Sequence, residues 1–140
     1  MIALSGCQLE NLDTRLRRGK VELTGVTMKK EYPKKTKKLI HKSKMEAHEE
    51  ELRRALIPLS ESFDSWKEGR TGSGELTELI HEFHRGPAKE LFKKYNGPMQ
   101  DLMVASAIAR GILDRNEVPQ ELLEQLADLV ELCEKELMKR

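Results

Sequence analysis

From residue 45 to the end of the chain, apolar side chains recur every three or four residues, the spacing of one face of an α-helix. The first of these series is Met45, Leu52, Leu56, Leu59, Phe63 and Trp66. Alternating runs of β-branched and aromatic residues, which mark strands, are rare, and aromatic residues make up only 4% of the chain. We therefore predict an all-α fold with a core built mainly from leucine, isoleucine, methionine and alanine.

Glycine and proline clusters divide this region into about five segments. We expect helices over residues 37–67, 74–85, 87–95, 98–113 and from 119 onward. Pro58 is expected to kink the first helix or restart it, and Gly86-Pro87 is expected to separate the second helix from the third. The fourth segment is apolar nearly all round, which predicts the most buried helix. The predicted fold is a small irregular helical bundle of about five helices.

Charge is distributed unevenly along the chain, although the net charge is only +1. Residues 1–44 contain 12 Lys/Arg and 4 Asp/Glu, a net charge of +8. Residues 45–140 contain 13 Lys/Arg and 20 Asp/Glu, a net charge of −7. Because closely spaced lysines repel one another, we predict a basic, partly disordered N-terminal tail over residues 1–36 and a helical domain over residues 37–140.

Two histidines and two cations come close together at the end of the second predicted helix. At about 100° per residue, His84 lies about 90° and His81 about 150° from the centre of the apolar stripe, on one flank. Arg85 and Lys89 follow. These residue types suit metal-independent cleavage of RNA or DNA, with His81 and His84 as candidate catalytic residues and Arg85 and Lys89 as candidate phosphate-binding residues. The alternative interpretations are a protein-binding corner and ordinary solvated surface.

The sequence predicts neither a metal site nor a cofactor. The spacing Glu78-x-x-His81 is used by di-iron helical bundles, but these need a second Glu-x-x-His, and neither His41 nor His48 follows a glutamate at that spacing. The two cysteines, at positions 7 and 133, form no CxxC pair, and Cys133 falls on an apolar helix face, which predicts a buried thiol. No glycine-rich phosphate loop, nucleophile elbow or HExxH motif occurs.

Four lysines around the end of the tail are further candidate binding residues: Lys34, Lys35, Lys37 and Lys38. Without interleaved aromatic residues they can pair with phosphates but cannot stack on bases. Nucleic-acid binding through the tail would therefore be independent of sequence and weakened by salt. Two alternatives are equal to this one: the tail folds back on the acidic domain, or it docks on an acidic partner. One hypothesis is that residues 1–27 are an upstream extension and that Met28 is the natural start.

The apolar series over residues 45–66 and 122–137 are both long enough to be oligomer surfaces. A small domain needs most of its apolar stripes for its own core, so we predict that both series are core. No segment approaches the roughly 20 apolar residues of a membrane span, and we expect no membrane contact and a cytoplasmic location.

For function, we expect a non-catalytic interaction or regulatory protein that binds a macromolecular partner, either another protein or a second copy of the chain. Its contact surface would be the acidic helical face and the corner at residues 81–89. The alternative is a small nuclease or nucleic-acid binder that uses this corner and the basic tail.

Overall fold

The computed structural model describes residues 31–139, and within this range the chain consists of helices and the loops that join them. The helices are α1 (Lys34–Lys67), α2 (Ser73–Phe83), α3 (Lys89–Tyr95), α4 (Gln100–Ala109), α5 (Gln120–Gln125) and α6 (Ala127–Met138). The predicted all-α fold, a small irregular helical bundle, is confirmed. The predicted extension over residues 1–27, and all of the tail up to residue 30, lie outside the described residues. None of the helices in the described range is long and apolar enough to cross a membrane.

The first helix begins at Lys34 rather than near residue 37, because tertiary contacts hold its first turn. Tyr32, just before the helix, is buried, and its hydroxyl donates a hydrogen bond of 2.8 Å to the Asp101 carboxylate on α4. Thr36, in the first turn, is also buried. The lysines that the sequence assigned to the tail boundary therefore lie on a formed helix.

Helix α1 continues through Pro58, so of the two predicted outcomes at this residue, a kink or a restart, the restart does not occur. A proline inside a helix lacks the N–H that would bind the carbonyl four residues earlier, here that of Arg54. Both residues are exposed, so that water can reach this carbonyl. The hydroxyl of Ser62 donates a hydrogen bond of 3.1 Å to the carbonyl of Pro58. The helix therefore keeps all of its 34 residues.

A π-helical turn, His84–Ala88, carries the chain through Gly86-Pro87, where the sequence predicted a helix end. In an α-helix the Pro87 ring would collide with the carbonyl four residues earlier. A π turn takes one extra residue into each hydrogen-bonded ring, which changes the position of that carbonyl relative to the proline. As a result α2, the π turn and α3 form one continuous arm.

The core lies where α4 packs against both α1 and α6. Every residue of α4 from Leu102 to Ile108 is buried, as its apolar composition predicted. The apolar series over residues 122–137 is core as well, since Leu122, Leu126 and Cys133 are buried. This part of the prediction is confirmed.

Two boundaries near this core differ from the prediction. Helix α4 ends at Ala109 instead of residue 113, because Gly111 takes a left-handed conformation with a φ of 77° that closes the helix. The last predicted helix is divided into α5 and α6 at Leu126, whose φ and ψ are −101° and 6°. Leu126 remains fully buried, so the change of direction does not remove it from the core.

The apolar series over residues 45–66 is not core, which corrects the prediction. The buried residues of α1 all lie at or before Ala47, where α1 packs on α4 and α5. We name these two helices, together with α6, which packs on both of them, the body. Beyond the body, α1 pairs with the α2–α3 arm across a turn at Gly69 (φ 81°), and we name this pair the hairpin. The residues of the series that are exposed are Met45, Leu56, Phe63 and Trp66.

Burial of Cys133 raises the pKa of its thiol to about 12. Because the thiolate is the reactive form, we expect iodoacetamide to modify this residue at pH 8 at least about 100-fold more slowly in the native chain than in urea. The measurement is a mass-spectrometric time course on a Cys7→Ser variant, which retains only this thiol. Equal rates with and without urea would show that the thiol is accessible in the folded chain.

Candidate binding surface on the helical hairpin

Three exposed apolar residues of α1 lie on one side of the helix: Met45, Leu56 and Phe63. At about 100° per residue, all three point within about 20° of a common direction. Their exposed fractions are 57%, 41% and 37%. The half-buried Ala55 and Ser62 mark the side that faces the other arm, roughly 90° round the helix. The three apolar residues therefore point out of the plane of the hairpin.

The other arm continues this surface with Ile80 and Phe92, whose exposed fractions are 39% and 61%. On α2 the inward side is marked by Leu76 and Phe83, and Ile80 lies about 50° round from them. Going round each helix from its inward side to its exposed apolar residues, the rotation has the same sense on α2 as on α1. Because the two arms run antiparallel, the exposed apolar residues of both arms lie on the same side of the hairpin. We name this surface the front face: Met45, Leu56, Phe63, Ile80 and Phe92. It extends about 27 Å along α1.

The opposite side of the hairpin is charged. Exposed glutamates occupy it on both arms: Glu61, Glu75, Glu78 and Glu82. The body packs on this same side of α1, because Ile40 and Ala47 point there, roughly 150–170° from the front face. The front face is therefore not covered by any described part of the chain.

The end of the hairpin is closed by an aromatic contact next to the front face. The Trp66 ring meets Phe63 edge to face, with 6.4 Å between ring centroids. The indole N–H of Trp66 donates a hydrogen bond of 3.0 Å to the hydroxyl of Ser73, at the start of α2. This contact sets the register in which the second arm returns along α1.

The predicted corner at residues 81–89 lies along the second arm and is exposed throughout its candidate residues. His81 ends α2, His84 and Arg85 lie in the π turn, and Lys89 begins α3. His84 falls on the front side, one turn after Ile80, and His81 falls at its edge. The corner therefore borders the front face instead of forming a pocket of its own.

The predicted tail lysines lie at the other end of α1. All four are exposed; Lys35 pairs with Glu121 at 3.2 Å and Lys37 with Glu31 at 3.7 Å. The corner lies beside a part of α1 that is about 20 residues beyond these lysines. This separation corresponds to about 30 Å along the helix axis. The structure thus does not bring the two predicted sets of binding residues together. Among the described residues, no group of His, Cys, Asp and Glu is arranged to hold a metal ion.

A buried charge cluster joins the hairpin to the body. The Glu51 carboxylate accepts hydrogen bonds of 2.5 Å from Nη1 of Arg110 and 2.5 Å from the Tyr95 hydroxyl, and Nζ of Lys94 lies 3.9 Å away. Nε of Arg110 donates a further bond of 3.2 Å to the Ser106 hydroxyl. The Glu51 and Arg110 side chains are only 11% and 5% exposed. Because the cluster links α1, α3 and the end of α4, it holds both arms of the hairpin against the body.

The ionisation states of this cluster follow from its environment. Burial alone raises the pKa of Glu51, but the hydrogen bond and charge of Arg110, the charge of Lys94 and the Tyr95 hydrogen bond together hold it below the usual value. Burial and the Glu51 charge raise the pKa of Tyr95, which stays a neutral donor. Burial lowers the pKa of Arg110, and the bond and charge of Glu51 outweigh this effect. The cluster is therefore a salt bridge with a neutral phenol as its third member.

Sequence reasoning missed this cluster, because its members are far apart in the chain: 44 residues separate Glu51 from Tyr95, and 59 separate it from Arg110. One signal was available. Tyr95 lies on an apolar stripe, and a buried tyrosine hydroxyl usually finds a hydrogen-bond partner. The identity of that partner could not be read from the sequence.

No protein-family model matches the chain, and the comparisons found no similar curated protein and no similar solved structure.

Proposed function

We propose that this chain is a non-catalytic interaction protein that acts in the cytoplasm and binds a macromolecular partner through the front face. The front face itself supports the proposal. With about 200 Å² for a fully exposed large side chain, its five residues expose on the order of 450 Å² of largely apolar surface. That area is within the range of the largest patches on monomeric proteins, which often mark interaction sites.

The shape and charge of the surface favour a protein partner. Two antiparallel helices with apolar residues on one side form a shallow groove, the kind of surface that accepts the apolar face of another helix. A nucleic-acid backbone would instead need cations in the groove itself to neutralise its phosphates. The centre of the front face is apolar, and the basic residues of the second arm, from His81 to Lys93, lie along its border.

The proposal predicts that charge introduced on the front face abolishes partner binding. In a Leu56→Glu/Phe63→Glu variant, each carboxylate would have to be buried without a counter-ion, so we expect at least a tenfold loss of the bound partner. The measurement is cross-linking and quantitative mass spectrometry of affinity-purified chain from its native cells. The matched control is Glu78→Lys, which changes charge on the opposite side and should retain the partner. Identical partners for all three forms would overturn the proposal.

The same material tests the nuclease alternative. Under the proposal, RNA and DNA incubated with an equimolar amount of purified chain stay intact, and they stay equally intact with a His81→Ala/His84→Ala variant, which keeps the apolar centre of the front face. Cleavage that is present in the original chain and absent from this variant would favour the alternative instead.

A further inference from the structure

We infer that the occupant of the front face is a second copy of this chain, and that two hairpins associate face to face as a four-helix bundle. The inference rests on the proposed function, since it names the partner for the same surface. Four-helix bundles arise when two antiparallel helix pairs bury their apolar sides against each other. The hairpin supplies half of such a bundle, with one apolar side and one charged side.

The α1 side of the front face has the spacing that bundle helices need. Met45, Leu52, Leu56, Leu59 and Phe63 follow one another at steps of seven, four, three and four residues. This spacing is that of helices that pack with knobs into holes. These five residues form a seam along α1. The α2–α3 arm covers only the edge of this seam that is nearest to it, and the remainder of the seam faces solvent. A seam of this width is filled when α1 also contacts a helix of a second hairpin.

The borders of the front face carry complementary charges. The outer border of α1 carries both signs. Its carboxylates include Glu49 and Asp64, and its cations are Lys42, Arg53 and Lys67. Lys42 is paired with Glu46 at 4.0 Å and Arg53 with Glu50 at 2.9 Å, both within α1. The corresponding border of the second arm carries histidines and lysines without intervening carboxylates, namely His81, His84, Lys89 and Lys93. An isologous interface uses the same patch twice, so it needs both signs within one patch, as found here.

A two-fold axis parallel to the helices brings the opposite charges of the two borders together. It places α1 of each copy on the second arm of the other copy and leaves every residue at its own height along the hairpin. The Trp66–Ser73 and Glu51–Tyr95 hydrogen bonds fix these heights. Along the helix axis, Asp64 then lies within about two helical turns of the second copy's His81, with 5.4 Å per turn.

The size and charge of the chain are compatible with this association. A stable interface buries about 800 Å² on each partner. The apolar front face provides roughly half of that area, and its charged borders provide the polar rim that such interfaces have. The net charge of +1 gives little long-range repulsion between two copies.

The test is the mass of the full-length chain in solution, measured by light scattering and analytical ultracentrifugation from 1 to about 100 µM, a range in which dimers of ordinary affinity dissociate. We expect about 32 kDa at the upper end, twice the 16.1 kDa of one chain. Leu56→Glu should raise the dimer dissociation constant at least about 30-fold, with an unchanged circular dichroism spectrum. The matched control, Glu78→Lys, should leave the dissociation constant unchanged.

A charge exchange tests the arrangement of the two copies. Glu49→Lys and Lys93→Glu should each weaken the dimer, and the double variant should recover most of the loss, because Glu49 of one copy lies near Lys93 of the other. A double variant that is weaker than both single variants overturns the arrangement. A dimer that is insensitive to Leu56→Glu also overturns the inference.

A chain that stays at 16.1 kDa throughout overturns the inference alone if a different partner is still lost in the Leu56→Glu/Phe63→Glu variant. If that partner is retained as well, the proposed function fails together with the inference.

Discussion

Replacing Glu51 by alanine is expected to lower the free energy of unfolding by about 3–5 kcal/mol, the effect of breaking a buried ion pair on one side. The substitution leaves the guanidinium of Arg110 buried without its counter-ion and removes the acceptor of the Tyr95 hydroxyl. Because the cluster joins both arms to the body, the loss should appear in one cooperative transition. Urea unfolding followed by circular dichroism measures it.

A matched control for this substitution is Glu78→Ala, which removes an exposed carboxylate of the hairpin and should change the stability by less than about 0.5 kcal/mol. The Glu51→Ala/Arg110→Ala variant should cost less than the sum of the two single substitutions, because the two side chains interact directly. A Glu51→Ala variant within about 1 kcal/mol of the original chain would mean that the cluster contributes no more than an exposed ion pair.

The same carboxylate makes the stability depend on pH. Since the folded-state pKa of Glu51 lies below its ordinary value of 4.5, its contribution is fully present above about pH 4.5. It is lost as the pH falls through the lowered folded-state pKa. The stability difference between the original chain and a Glu51→Gln variant should therefore be constant near neutral pH and shrink in acid. A difference that grows in acid would contradict the direction of the pKa shift.

Replacing Leu122 by alanine is expected to cost about 2–5 kcal/mol, through lost burial and the cavity that remains. Leu122 has no exposed surface and lies at the start of the last apolar series. The control is Met138→Ala at the end of α6, where the side chain is 85% exposed and the expected change is less than about 0.5 kcal/mol. Neither residue belongs to the front face, so association of two copies does not alter the comparison. Similar losses in both variants would show that α5 is not part of the core.

The parts of the fold that could be predicted from the sequence are the segments whose apolar pattern requires burial whichever way the helix is turned. Helix α4 is apolar nearly all round, so it had to be buried whatever its orientation, and residues Leu102 to Ile108 are all buried. The series over 122–137 was likewise correctly assigned to the core. In both cases the local sequence already contains the apolar surface that has to be removed from water.

The orientation of α1 could not be predicted in this way. Spacing shows that Met45, Leu56 and Phe63 share one side of the helix, but it does not show what that side faces. The body is contacted instead by the side with Ile40 and Ala47, which the apolar pattern does not mark strongly. Ala47 is completely buried, and a small side chain at this position lets two helices approach closely.

The sequence by itself thus determined that this chain is helical and which segments are apolar enough to form a core, since periodicity and burial of apolar surface are local properties. Only the tertiary structure decided that the longest apolar series lies outside that core. Only the structure likewise united Glu51, Tyr95 and Arg110, because contacts between residues 44 and 59 positions apart depend on how helices pack, and helical spacing does not encode packing. The corner at residues 81–89 stays a prediction, and the structure adds to it the apolar front face that this corner borders.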